Sequence, residues 1–145
     1  MAVSLALTTH AVGEQTLADQ IVSCGGHGLA MGVLGDILIE NEGPSEYTDN
    51  IIRSGNLLYD GLEYFYAVQS QCNVTFEQAS EQFAQSGSTL LEEHDPIRAT
   101  GAAREEMLVA FLGQWDECVT YFGFDFLVEM NDRRFTRPSP CGWRE

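Results

Sequence analysis

The stretch TLADQIVSCGGHGLAMGVLGDILIEN, Thr16 to Asn41, decides how the chain reads. Taken as one helix, it makes the protein all-helical. Broken at Gly25-Gly26-His27-Gly28, it becomes strand and turn. The helical reading has the better support. Thr16 followed three residues later by Asp19 is a helix start. Leu17, Ile21, Cys24, Leu34, Ile37 and Leu38 then follow a helical rhythm, and Gly43-Pro44 ends it. A helix is expected over about 17–41. Within it, Gly25, Gly28, Gly32 and Gly35 recur at steps of three and four, on one face. Each glycine costs about 1 kcal/mol relative to alanine inside a helix. The stripe therefore needs a reason: the close approach of another helix, or a ligand lying on the bare backbone.

Three further helices follow from the same reasoning. Ser45 and Thr48 are candidate caps for a helix over about 46–71, whose seam is Ile51, Gly55, Leu58, Leu62 and Phe65. Thr75-Phe76-Glu77-Gln78 is a capping box, with Val74 and Ala79 placed as a hydrophobic staple. The helix it opens carries Phe76, Ala79, Phe83 and Leu90 and runs to about Glu93, stopped by Pro96. A fourth helix starts near Pro96 or after Gly101 and runs to about Asp132, with Leu108, Phe111, Trp115, Cys118 and Phe122 inward. Gly123 interrupts it. Phe122, Phe124, Phe126 and Val128 could alternate as a strand, but the long pattern before them favours helix. The expected architecture is all-α: an up-down-up-down four-helix bundle over 16–135, an irregular N-terminal arm over 1–15 and an extended tail over 136–145.

Charge is the strongest lead to function. The 145 residues hold 22 Asp and Glu against seven basic residues, every one an arginine, for a net −15. Residues 1–132 carry 21 acids and three arginines; residues 133–145 carry four arginines and one acid. Such a surface repels nucleic acid and anionic membranes and suits a basic protein partner. In an up-down-up-down course the first and third links share one end. That would gather Glu40, Glu42, Glu46, Asp49, Glu92, Glu93 and Asp95, with Arg53 and Arg98 nearby. Arg133, Arg134 and Arg137 would sit at the other end. The bland reading is that these carboxylates are solvated, or that Glu46 and Asp49 simply favour a helix N-terminus.

No sequence signature of catalysis, nucleotide binding or metal binding is present. Without lysine there is no phosphate-binding loop of the Gly-x-x-x-x-Gly-Lys type, and Gly-x-Gly-x-x-Gly and Gly-x-Ser-x-Gly are missing. No Glu-x-x-His of the di-iron bundles occurs, and His10, His27 and His94 are isolated. Cys24, Cys72, Cys118 and Cys141 contain no Cys-x-x-Cys pair. No basic segment precedes Val3–Leu7, so no secretory leader is read there. Cys24, Cys72 and Cys118 are then expected as small buried apolar residues of a cytoplasmic protein. Tyr59, Tyr64, Tyr66, Trp115 and Tyr121 read as core before pocket lining. No catalytic residue, metal or cofactor is assigned.

The expectation is a non-catalytic binding protein whose seven carboxylates face arginines and lysines of a basic, nucleic-acid-binding partner. In size, charge and lack of catalytic motifs it resembles small acidic inhibitors of phages and mobile elements, nucleic-acid mimics that act against host defence nucleases. A helical structural subunit, a homodimer included, and a small-ligand binder using the glycine stripe are the alternatives.

Overall fold

Thr16, Ser45 and Thr75 each open a helix in the computed structural model, which describes residues 16–143. The arm expected over 1–15 lies outside them. Each of the three caps is a reciprocal box: Thr16 with Asp19, Ser45 with Thr48, Thr75 with Gln78. A cap of this kind contributes about 1 kcal/mol. The helices are α1 (Leu17–Glu42), α2 (Glu46–Gln69), α3 (Phe76–His94), α4 (Gly101–Phe122) and α5 (Phe124–Thr136), followed by a 3-10 turn at Pro140–Gly142. Among the described residues there is no strand.

The central element is α1, unbroken through Gly25-Gly26-His27-Gly28 and packed on α2, α3 and α4. By length and composition it could cross a membrane, yet 61% of its most apolar window is buried in the protein. Its glycines explain how the neighbours come so close. A Cβ on Gly28 would sit 2.5 Å from the Gly55 carbonyl oxygen, and one on Gly55 would sit 2.6 Å from that of Gly28. Gly35 similarly receives Ile52 of α2. Since Gly28 faces Gly55 while Gly35 faces Ile52, α1 and α2 run antiparallel. Gly25 and Gly26 serve α3 instead, meeting Phe83 and Ser86, and Gly87 returns the fit against the Gly26 carbonyl at 2.7 Å. Gly32 has open space where its Cβ would go. The stripe is thus a packing device shared between two partner helices, with Gly32 outside it.

The Gly28–Gly55 crossing leaves no room for side chains, so the core divides there. On one side Ile21, Cys24, Leu58, Leu62, Tyr66, Ala79, Phe83, Cys118 and Leu127 form a cluster. On the other are Ala30, Met31, Leu34, Leu38, Ile51, Met107, Leu108 and Phe111. Trp115 touches both, and its indole N–H donates to the Ser54 carbonyl at 2.9 Å.

Three expectations are corrected. The fourth helix is two helices: Gly123, at φ 93°, ends α4 and starts α5 in a new direction. A side chain rarely adopts that backbone region, so glycine is what permits the turn. Helix continues on both sides of it, and residues 121–128 form no strand. α5 then crosses α2 at Gly61, where a Cβ would meet the Leu127 carbonyl oxygen at 3.1 Å.

The cysteines are also paired rather than free. Cys24 bonds to Cys118 inside the first cluster, and Cys72 bonds to Cys141 at the surface. Spacings of 94 and 69 residues carry no sign of pairing, which only the packing of α1 on α4 and the return of the tail create.

The tail, finally, is docked. Past an extended Arg137 it turns at Pro140–Gly142, is held by Cys141, and lays Trp143 edge-on against Tyr66 and Phe76.

Candidate functional site

The two links expected to share an end do so. Leu38, Asn41 and Glu42 of α1 line one cleft, of about 510 Å³, together with Pro96, Ile97, Ala99 and Thr100 of the α3–α4 link and Gly101, Arg104 and Met107 of α4. Glu40, Glu42, Glu46, Asp49, Glu92, Glu93 and Asp95 are all exposed.

Their local roles differ. Glu46 and Asp49 lie in the first turn of α2, where backbone N–H groups favour negative charge. Asp95 ends α3 in the left-handed region, at φ 43°, and lies 3.9 Å from Arg98. Glu42 accepts from one Arg104 nitrogen through both oxygens, at 2.7 and 2.6 Å. Glu93 borders a different cleft, between α1, α3 and α4. Glu40 and Glu92 are exposed near helix ends, and neither forms an ion pair among the described residues.

Arg104 was not foreseen as the cation of this end. Arg53 lines another cleft, with Trp115 and Phe135, and Arg98 projects into solvent. The signal for Arg104 lies four residues after the Thr100 cap position and points nowhere in the linear sequence. Ile97 and Tyr47 were missed as well. They are 72% and 43% exposed among the acids, and so offer apolar anchors of the kind protein interfaces use.

The arginine end is corrected more strongly. Because α5 turns away at Gly123, Arg134 reaches the flank of α2, where its Nε lies 3.5 Å from Glu63, a carboxylate only 3% exposed. Arg133 pairs with Glu129 on its own helix at 2.5 Å. These arginines secure α5, and the pole with the α2–α3 link is closed by the Cys72–Cys141 bond.

Among the aromatics, Tyr66 is buried and donates to Gln82 at 2.7 Å, Tyr59 stands edge-on to Phe83, and Tyr121 is exposed. His27, also buried, is bonded through Nε2 to the Phe111 carbonyl oxygen at 2.7 Å. No group of three or more potential metal ligands occurs among the described residues. The chain matches no family model, no curated protein and no solved structure, so its function is argued from this geometry alone.

Proposed function

We propose that the protein is a non-catalytic binding protein that docks its acidic end on a basic partner, one that itself handles nucleic acid. Acting as a nucleic-acid mimic, it would inhibit that partner, in the manner of phage or mobile-element anti-defence proteins. The observation that carries this reading is the meeting of the end of α1 with the α3–α4 link at one cleft, which Glu42 lines, while all seven carboxylates of the two link regions are exposed. We read α1 to α4 as an up-down-up-down course, which is what brings those links together. Glu42 is neutralised by Arg104, while Glu40, Glu46 and Glu92 remain directed at solvent. Ile97 and Tyr47 supply apolar area to such a contact. Association of this type is fast and weakens with salt, since screening at about 0.1 M already acts over about 10 Å.

The test is affinity capture from the native host's lysate at low salt, with a Glu40→Lys/Glu46→Lys/Glu92→Lys variant alongside. A basic protein retained at low salt, released at high salt and lost by the variant supports the reading. Equal retention by the variant makes the acidic end ordinary solvated surface. The variant should lose no more than about 1 kcal/mol, the share of Glu46 at the start of α2, because none of the three forms an ion pair among the described residues.

The compartment divides two readings. The charge argument goes with the cytoplasm, whereas the two disulfides favour an oxidising compartment, since such bonds are rare in the cytosol. Alkylation of protein taken from its native source decides: four reactive thiols for the first, none for the second. Light scattering separates a lone chain that binds a partner from a homodimer or larger helical assembly.

A further inference from the structure

The two disulfides sit in opposite settings. Cys24 and Cys118 lie inside α1 and α4, are buried, and pack within the first cluster. Cys72 and Cys141 are exposed, and both line a surface cleft of about 510 Å³ together with Val74, Phe76, Glu77 and Trp143. Neither belongs to an α-helix: Cys72 stands in the α2–α3 link and Cys141 in the 3-10 turn of the tail. A reductant therefore reaches the second bond from solvent, whereas it reaches the first only by opening the core. Access of this kind sets how readily a disulfide exchanges.

The backbone at the exposed bond is strained on both sides. Cys72 has φ 65° and Cys141 has φ 61°, in the left-handed region that side chains other than those of asparagine and aspartate seldom enter. Each has a left-handed neighbour, Gln71 at φ 54° and Gly142 at φ 68°. Conformations of this sort persist where the surrounding structure over-determines them. Here the bond joins the two turns, so cleaving it lets both relax. Exposed and strained disulfides are the more readily reduced, and they supply the labile, regulatory class.

We propose that Cys72–Cys141 is a redox latch: a dithiol reductant opens it while Cys24–Cys118 stays closed, and opening frees the tail. A thiolate of the reductant attacks one sulfur, forms a mixed disulfide and expels the other cysteine as a thiolate. The reductant's second thiol then closes its own disulfide and expels the remaining cysteine. The protein gains the two electrons and two protons that the dithiol loses. Trp143, which lies edge-on to Tyr66 and Phe76, then leaves with the tail and bares the start of α3 beside the Cys72 thiol. The latch closes the pole of the α2–α3 link, away from the acidic links, so this reading rests on neither the partner nor its charge.

The test equilibrates the oxidised protein, isotopically labelled at tryptophan, with reduced and oxidised dithiothreitol in stepped ratios at neutral pH. Free thiols are trapped by alkylation and assigned by peptide mass, while the indole N–H signals of Trp115 and Trp143 are followed. Cys72 and Cys141 should become alkylated at a dithiol-to-disulfide ratio about tenfold lower than Cys24 and Cys118 require. Over that interval the Trp143 signal should move to its position in the unfolded chain. The Trp115 signal, whose N–H donates to the Ser54 carbonyl, should stay. Cys72→Ser with Cys141→Ser should place the Trp143 signal at the same position without reductant. The proposal is overturned if the two bonds open at one ratio or if Cys24–Cys118 opens first. It is overturned equally if Trp143 keeps its native signal once Cys72 and Cys141 are free.

Discussion

The Gly28–Gly55 crossing separates two halves that solve one problem, holding helix ends together, by different means. In the half with Cys24 and Cys118, a disulfide runs through the cluster and a second one pins the tail to the α2–α3 link. In the half with Met31 and Met107, the links are joined by a partly exposed ion pair, Arg104 with Glu42. A covalent bond restricts the unfolded chain as well as the native one, whereas an exposed ion pair does neither strongly. The half that carries the acidic surface is therefore the more easily opened of the two. A binding face that adapts to its partner sits naturally on such a half.

Removing the covalent ties should give the largest effect. Cys24→Ala with Cys118→Ala should lower unfolding free energy by about 4 kcal/mol, as expected for a long closed loop, measured by denaturant titration. A loss below about 1 kcal/mol would mean that the halves differ little. The crossing itself comes next. Gly28→Ala should cost about 2–3 kcal/mol, because its Cβ would meet backbone on α2. Gly32→Ala, into open space, should instead stabilise by up to about 1 kcal/mol through helix propensity. The paired variants separate packing from position on the same helix.

Acidification probes the seam between the halves through His27. Its folded pKa is lowered below the ordinary 6.5 by burial. Below pH 6.5 the unfolded chain binds a proton that the native state resists, so this contribution is complete above 6.5 and declines as pH falls toward the lowered folded value. On the helices packed against it, Glu93 lines the same cleft as His27 and the His94 ring also lies on Phe111; α4 presents the Phe111 carbonyl. Thermal melts across this range should show the decline in the native protein, and His27→Gln should remove it. The smallest effect belongs to the ion pair. Arg104→Ala should cost at most about 1 kcal/mol, and added salt should erase most of the difference.

Helix starts were legible because each is written locally. Thr16 and Asp19, Ser45 and Thr48, and Thr75 and Gln78 lie three residues apart and need nothing distant. The seams of α2 and α4 were legible for the same reason. Gly123 was visible as an interruption, but its consequence depends on the fit of Leu127 against Gly61, which no local spacing encodes. The disulfides join residues on elements far apart in sequence, so their pairing follows from helix packing. The meeting of the acidic links could be inferred from helix order, whereas the choice of Arg104 over Arg53 and Arg98 depends on how α4 is rotated about its axis. His27 was seen as isolated and set aside. What distinguishes it is the Phe111 carbonyl, 84 residues away, which takes one nitrogen, while the other has no partner among the described residues.

The two disulfides interlace: Cys72 lies inside the loop closed by Cys24 and Cys118, and Cys118 lies inside the loop closed by Cys72 and Cys141. Drawn as chords on the chain, they cross. A single nick anywhere between Cys24 and Cys141 then leaves two fragments still bonded to each other, and a nick at the exposed Arg98 leaves them joined twice. With no lysine in the chain, trypsin has arginines alone to cut, and Arg98 stands in the acidic link itself. The end that offers itself to partners can thus be severed by a protease while the molecule remains one covalent object.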